Sequence, residues 1–176
     1  SILIVQGSLG SEVINNKMLS FLQSIDNEPY DVLYVTGKNY YENYSKNKFS
    51  KNVKVVPYVE NLSSLLKDID LIITRAGAST IAEITSLGLP AILIPSPYVA
   101  NNHQYYNALS LKNANASELI EQKDLNEKTL KETINKILNN KNTYETYHNN
   151  LLKLSIPNSS TIIYESIKKL INEKEC

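Results

Sequence analysis

The chain has 176 residues with 18 basic and 18 acidic side chains, so its formal net charge is zero and gives no basic footprint for nucleic acid. This length is enough for one α/β domain with a substantial core. The single cysteine, Cys176, excludes an internal disulfide, and no apolar run approaches the ~18 residues of a membrane span. Arg75 is the one arginine among the basic residues, which indicates that guanidinium geometry matters there.

Short apolar runs alternate with segments of helical periodicity along the first two thirds of the chain. The runs are continuous rather than alternating in polarity, which is typical of strands covered by helices on both faces. We therefore predict an α/β fold built on a Rossmann-like doubly wound parallel sheet, with a sixth, weaker strand within residues 116–120. The five stronger runs are Ile2–Val5, Val32–Val35, Val53–Val56, Leu71–Ile73 and Ala91–Ile94.

The sequence at the two ends of the chain bears on its domain organisation. Pro157 ends one predicted helix, and Asn158 or Ser159 can cap the next, so the last helix is expected to be a separate piece. The first residue, Ser1, is followed at once by a predicted strand. We therefore expect the chain to be a fragment of a larger protein.

The first loop expected at the carboxyl edge of the sheet is QGSLGS, residues 6–11. Gly7 and Gly10 can let backbone N–H groups approach an anion at a helix start. The spacing is not that of a dinucleotide loop, and the second strand ends in Thr36-Gly37 without an acidic residue for a ribose. A nicotinamide or flavin site is therefore disfavoured, whereas a plain tight turn and a phosphate loop both stay open.

The second such loop is TRAGAST, residues 74–80, and it admits two interpretations. Thr80 and Glu83 match the T-x-x-E pattern of a capping box at a helix start. Alternatively, Gly77 permits close approach of a diphosphate to free backbone N–H groups, and Glu83 accepts hydrogen bonds from a vicinal diol.

A third loop leads into a helix at His103-Gln104, with Asn101 or Asn102 as the expected cap. His103 is either an ordinary first-turn residue or part of a ligand site, and the amide of Gln104 can both donate to and accept from sugar hydroxyls. His148 lies in a polar helical stretch and is expected to be a surface residue.

No metal site is predicted from the sequence. The triplet Asp68-Ile69-Asp70 resembles a metal-binding D-x-D, but it precedes the strand and so lies at the amino edge of the sheet, away from the expected ligands.

GSLGS near the start, together with RAGASTIAEITSLGLPAILIPSPYVANNHQYYNA at 75–108, resembles the carboxy-terminal half of the MurG-type transferases. Those enzymes attach N-acetylglucosamine to the lipid-linked muramyl-pentapeptide precursor of peptidoglycan. The resemblance implies one half of a GT-B glycosyltransferase, with residues 1–156 as the domain that binds UDP-N-acetylglucosamine. It also implies that helix 157–176 packs toward a missing N-terminal acceptor domain.

The activity implied by the resemblance is an inverting hexosyl transfer to the 4-hydroxyl of the lipid-linked muramyl-pentapeptide, lipid I to lipid II. The missing domain would supply the general base, the acceptor site and the membrane contact, at the cytoplasmic face of the bacterial membrane. No catalytic residue is therefore assigned to this chain, the isolated chain is expected to be inactive, and neither a cofactor nor a nucleic-acid partner is expected.

The resemblance also carries substrate-binding positions onto this sequence. Ser8 matches the residue near the phosphates, and Val59 matches the position whose backbone meets the uracil. The diphosphate would lie against the backbone of Ala78, Ser79 and Thr80.

Three further positions concern the sugars. Glu83 matches the residue that binds the ribose hydroxyls, while His103 and Gln104 match the pair that contacts N-acetylglucosamine. The first loop departs from the usual family pattern G-G-S-Q-G, because Leu9 stands where a polar side chain is expected. Two alternatives stay open: another GT-B glycolipid glycosyltransferase, and a stand-alone nucleotide-sugar-binding subunit.

Overall fold

The computed structural model describes residues 1–6 and 11–155. Ser8 and the predicted last helix, 157–176, lie outside the described residues. Within them, six parallel strands form one sheet in the order β3-β2-β1-β4-β5-β6, which confirms the predicted Rossmann-like sheet and its weak sixth strand. The strands are β1 (Ile2–Val5), β2 (Val32–Val35), β3 (Val53–Val56), β4 (Leu71–Thr74), β5 (Ala91–Leu93) and β6 (Glu118–Leu119).

Helices connect successive strands, as parallel pairing requires. Four of them begin at a side chain that accepts from the backbone N–H three residues on: Ser11, Asn61, Asn126 and Asn140 cap α1, α3, α6 and α7. The described helices are α1 (Glu12–Gln23), α2 (Tyr41–Tyr44), α3 (Leu62–Leu65), α4 (Ala78–Leu87), α5 (His103–Asn113), α6 (Glu127–Leu138) and α7 (Lys141–Leu154).

Strand β1 explains why the apolar runs are continuous. Ile2 and Ile4 belong to a core cluster with residues of α1 and α6, whereas Leu3 and Val5 belong to a cluster on the other face with residues of α4 and α5. Successive side chains of a strand point to opposite faces, so both faces must be apolar when both are covered. Burial of one such side chain stabilises the fold by about 1.5–3 kcal/mol.

The strand order places a crevice between β1 and β4. The chain proceeds outward from β1 to β3 and then returns to β4, which pairs with the opposite side of β1. Val5 at the end of β1 is paired with Val35 of β2 and with Thr74 of β4. Helices α1 and α4, which follow β1 and β4, pack on opposite faces of the sheet, and the edge where such helices diverge is where ligands bind in open α/β sheets.

The far end of α4 is held by α7. Gly88, with φ of 61°, ends α4 in the left-handed conformation, and His148 Nδ1 lies 2.7 Å from the carbonyl oxygen of Gly88. Because a carbonyl oxygen can only accept, Nδ1 carries the hydrogen in this bond. The prediction that His148 is an ordinary surface residue is wrong, since its ring is partly buried against α4.

Candidate functional site

The junction between β4 and α4 presents free backbone N–H groups to the crevice. Gly77 is the N-cap of α4, and its carbonyl accepts from Ile81 N at 2.9 Å. The first-turn N–H groups of Ala78, Ser79 and Thr80 precede that bond, and no side chain within residues 1–6 and 11–155 caps the helix. Free N–H groups at the positive end of a helix favour an anion.

Gly77 leaves open space in front of these groups. Its φ is −71°, so the backbone conformation does not require glycine. Among the residues that the structure describes, a Cβ atom built there would approach only Thr80 Oγ1, at 4.0 Å. The absence of a side chain therefore keeps the approach to the start of α4 clear.

Glu83 is not part of a capping box. Helix α4 begins at Ala78, so Thr80 and Glu83 both lie inside it, and the N-cap is Gly77. The Glu83 carboxylate instead accepts a hydrogen bond from Ser63 Oγ at 3.0 Å, across the crevice. The T-x-x-E interpretation is wrong, because the N-cap of α4 is Gly77, three residues before Thr80, so Thr80 is not the cap residue that Glu83 would pair with.

A pocket of about 190 Å³ lies at the carboxyl ends of β1, β2 and β4. Three predicted site residues, Val59, Thr80 and Glu83, line it together. Its floor is apolar and its rim polar, the usual combination for a site that binds an organic ligand. The lining residues are Val5, Val35, Tyr58, Val59, Glu60, Leu62, Ile72, Thr74, Thr80 and Glu83.

Tyr58 is a lining residue to which sequence reasoning gave no role. Its side chain is 43% exposed, and Lys38 Nζ lies 4.7 Å from the centre of its ring. This cation–π contact joins the loops after β2 and β3. In the sequence, only its position next to Val59 indicated a role for Tyr58. Because the chain contains 12 tyrosines, this one did not stand out.

His103 and Gln104 begin α5, apart from the lining of the Glu83 pocket. His103 is exposed, and its Nδ1 lies 2.9 Å from Ala100 O, so that Nε2 is an acceptor without a partner among the described residues. Gln104 Oε1 accepts from Ser96 N at 2.9 Å, and its NH₂ group makes no hydrogen bond to residues 1–6 and 11–155. The predicted cap residue Asn102 occupies the N-cap position, but its side chain makes no capping hydrogen bond.

Arg75 joins three loops at this edge of the sheet. Its Nη1 donates to Ile94 O and Pro95 O, each at 3.2 Å, and its Nη2 donates to Ser11 Oγ at 3.1 Å and to Gln122 Oε1 at 2.8 Å. All four acceptors are neutral, and burial lowers the pKa of the Arg75 guanidinium. The indication that guanidinium geometry matters here is consistent with this four-bond arrangement, which a lysine ammonium cannot reproduce.

A second cavity, of about 440 Å³, lies beyond the ends of β5 and β6. Its wall combines aromatic rings, amides and charged groups. The lining residues are Lys17, Pro95, Ser96, Pro97, Tyr98, Asn102, Tyr105, Glu121, Gln122 and Lys123.

Asp68 and Asp70 lie before β4, at the amino edge, as predicted. The carboxylate of Asp70 accepts a hydrogen bond from Ser1 Oγ at 3.0 Å. Across residues 1–6 and 11–155, no group of three or more potential metal-ligating side chains occurs. None of the helices in the same ranges combines the length and apolar character needed to cross a membrane.

Comparison with solved structures defines the class of protein. The chain superimposes on the crystal structure of Acinetobacter baumannii MurG with a TM-score of 0.82 and 26% identity, covering 96% of this chain and 51% of that one. The calicheamicin glycosyltransferase CalG4 shares the fold alone, with a TM-score of 0.72 at 13% identity over 97% of this chain and 43% of that one. These neighbours are GT-B glycosyltransferases, so the fold is a Rossmann-like half of that architecture.

Residues 1–161 match the model of the glycosyltransferase family 28 C-terminal domain, and the chain belongs to that family. Among curated proteins it is similar to the UDP-N-acetylglucosamine–N-acetylmuramyl-(pentapeptide) pyrophosphoryl-undecaprenol N-acetylglucosamine transferases of Bacillus cytotoxicus and Pediococcus pentosaceus. The first is 38% identical over 98% of this chain and 49% of its own length. The second is 36% identical over 97% of this chain and 48% of its own length. The chain thus spans about half the length of these relatives.

Proposed function

We propose that this chain is the donor-binding half of an inverting glycosyltransferase that uses UDP-N-acetylglucosamine. The acceptor would be the 4-hydroxyl of the lipid-linked muramyl-pentapeptide. The observation that carries the proposal is the uncapped start of α4 beside a pocket that holds both Val59 and Glu83. The names of the similar transferases support the choice of sugar and acceptor.

Each part of the donor has a proposed place. The uracil lies against the backbone at Val59, the ribose hydroxyls donate to Glu83, and the diphosphate lies against the backbone of Ala78, Ser79 and Thr80. The pocket at the end of β1, β2 and β4 supports the first two assignments, because it puts an apolar floor beside a carboxylate. Ser8 stays assigned to the phosphates by resemblance alone.

N-Acetylglucosamine is proposed to contact His103 and Gln104. The free acceptor of His103 and the free NH₂ group of Gln104 are complementary to hydroxyl groups, which both donate and accept. Their location, one loop beyond the start of α4, suits the sugar end of a ligand whose diphosphate lies at that helix.

The chemistry proposed for this half is stabilisation of the leaving group. As the acceptor hydroxyl attacks the anomeric carbon, negative charge grows on the departing uridine diphosphate. The N–H groups at the start of α4 are fixed in place before the reaction, so they can stabilise this charge with little reorganisation. The general base, the acceptor site and attachment to the cytoplasmic face of the membrane are proposed to reside in the other half of the enzyme.

The 176-residue chain is expected to bind the donor without transferring sugar. Calorimetry should detect weak binding of uridine diphosphate and of UDP-N-acetylglucosamine, weak because no second domain closes over the ligand. A transfer assay with the lipid-linked acceptor should give no product. Absence of binding to both ligands would contradict the proposed function, and product formation would contradict the division of labour between two domains.

Replacement of Gln104 by alanine should reduce sugar selectivity. The NH₂ group is proposed to donate to a sugar hydroxyl, and loss of such a partner costs about 1–3 kcal/mol of discrimination. Titration with UDP-N-acetylglucosamine and UDP-N-acetylgalactosamine measures the effect, with Lys141→Gln as a control on the exposed surface of α7. If the preference between the two sugar nucleotides is unchanged, Gln104 has only a structural role at the start of α5.

A further inference from the structure

The peptide unit between Pro95 and Ser96 is held from both sides. Its carbonyl oxygen accepts from Arg75 Nη1 at 3.2 Å, and its N–H donates to Gln104 Oε1 at 2.9 Å. The carbonyl and the N–H belong to one planar group, so rotation of that plane would break both hydrogen bonds together. The guanidinium and the Gln104 amide are therefore coupled through a single rigid unit.

This coupling fixes the direction of the Gln104 amide. If the amide were turned over, its NH₂ group would face the Ser96 N–H, and two donors would oppose each other. While the Pro95–Ser96 peptide keeps its orientation, Oε1 stays bound and the NH₂ group stays available. The orientation of the peptide depends in turn on Arg75.

We propose that Arg75 is a positioning residue for sugar selectivity, acting through the Pro95–Ser96 peptide on Gln104. This inference rests on the proposed function, since it assigns to Gln104 a sugar hydroxyl as partner. Arg75 is suited to the role because its other bonds, to Ile94 O, Ser11 Oγ and Gln122 Oε1, fix the guanidinium plane against three separate loops. A lysine at this position would keep the positive charge but lose the planar arrangement of N–H donors.

A direct electrostatic role is the competing explanation. The four acceptors of Arg75 are neutral, so none of them cancels its charge, and in this explanation the charge acts on the diphosphate. The charge explanation and the positioning explanation predict different effects on ligand binding. A charge effect weakens binding of every diphosphate ligand and is retained by lysine, whereas a positioning effect alters the preference between sugars and is lost with lysine.

The test compares wild type with Arg75→Lys, Arg75→Gln, Gln104→Ala and the double variant Arg75→Lys/Gln104→Ala. Each is titrated with uridine diphosphate, UDP-N-acetylglucosamine and UDP-N-acetylgalactosamine, and thermal unfolding checks that each is folded. Arg75→Lys should lower the ratio of the two sugar-nucleotide affinities about three- to tenfold, the range for one lost hydrogen bond, and change uridine diphosphate affinity less than about twofold. The double variant should be no less selective than Gln104→Ala, because coupled residues are not additive.

Three results would overturn the inference. The first is a folded Arg75→Lys variant whose ratio of the two sugar-nucleotide affinities equals that of wild type. The second is a double variant whose loss of selectivity is the sum of the two single losses. The third is an Arg75→Gln variant that binds all three ligands more weakly by the same factor, while Arg75→Lys binds them as wild type does. If Arg75→Gln does not fold, Arg75→Lys and the double variant still decide between positioning and charge. A wild-type chain that binds uridine diphosphate with no preference between the sugars would contradict the proposed sugar site itself, and that result is distinct from the other three.

Discussion

Replacement of Gly88 by alanine is expected to lower the free energy of unfolding by about 2–4 kcal/mol, as judged by urea denaturation. The backbone contributes because Gly88 has φ of 61°, a left-handed conformation that costs a residue with a Cβ about 1–2 kcal/mol. Crowding contributes the remainder: the new Cβ would lie 2.7 Å from His148 Nδ1 and 2.9 Å from Leu152 Cγ.

The double variant Gly88→Ala/His148→Ala separates these two contributions. Removal of the ring relieves two of the three close contacts, those with His148 Nδ1 and Cε1, so alanine at position 88 should cost less in that background than in wild type. His148→Ala alone should cost about 1 kcal/mol for the lost bond to Gly88 O. If Gly88→Ala stays within about 0.5 kcal/mol of wild type, the described packing of α7 on α4 is incorrect.

This packing matters for the site because α4 carries functional groups at its other end. Its first turn offers N–H groups to the crevice, and Glu83 lies one turn further on. The Gly88–His148 contact attaches the carboxyl end of the same helix to α7. A loss of this attachment is expected to loosen the start of α4 and so to weaken nucleotide binding as a secondary effect.

The sheet could be predicted from the sequence because its strands are buried on both faces. Continuous runs such as Ile2–Val5 have no other simple explanation in a sequence whose apolar runs are all too short to span a membrane. The boundaries were less certain. Thr74 is polar, yet it belongs to β4 and is 3% exposed, and β5 ends at Leu93 rather than at Ile94. The short helices α2 and α3, with four residues each, are too brief for a periodicity to reveal them.

The sequence could predict which residues of the site lie close together only where their proximity follows from the order of strands and loops along the chain. Loops after parallel strands meet at one edge, so Val59, Thr80 and Glu83 could be expected to lie close together, and they line one pocket. The partners of Arg75 could not be predicted, because they are neutral oxygen atoms 19 to 64 residues away in the chain. The capping box failed for a related reason: T-x-x-E specifies a helix start only if the helix begins there.

Replacement of Glu83 by alanine is expected to weaken binding of uridine diphosphate by about 1.5–3 kcal/mol, the range for hydrogen bonds to a charged group. Stability should change by less than about 0.5 kcal/mol, because the one hydrogen bond lost is to Ser63 Oγ and is exposed. Calorimetric titration and urea unfolding of the same preparations measure the two effects. Glu132→Ala, an exposed glutamate on α6, controls for the loss of one negative charge.

The ribose assignment has a sharper consequence than loss of affinity. Wild type should bind uridine diphosphate more tightly than its 2′-deoxy analogue, and Glu83→Ala should bind the two ligands equally, because the variant has no acceptor for either hydroxyl. Glu83→Gln should keep part of the preference, since an amide oxygen accepts one hydrogen bond without the charge. Equal binding by wild type, or a preference that survives in Glu83→Ala, would show that this carboxylate does not contact the ribose.

Ser63 provides the complementary variant. Its hydroxyl donates to Glu83 Oε1 without ligand, so ribose hydroxyls must either displace it or bind the other carboxylate oxygen. If they displace it, Ser63→Ala removes a competitor and should bind uridine diphosphate at least as tightly as wild type, with the 2′-deoxy preference intact. If Ser63 instead holds the carboxylate in its binding orientation, Ser63→Ala should lose part of the affinity gained from Glu83. We expect the first result, because Ser63 is exposed, and a ligand with two adjacent hydroxyls can satisfy both carboxylate oxygens at once where a single serine satisfies one.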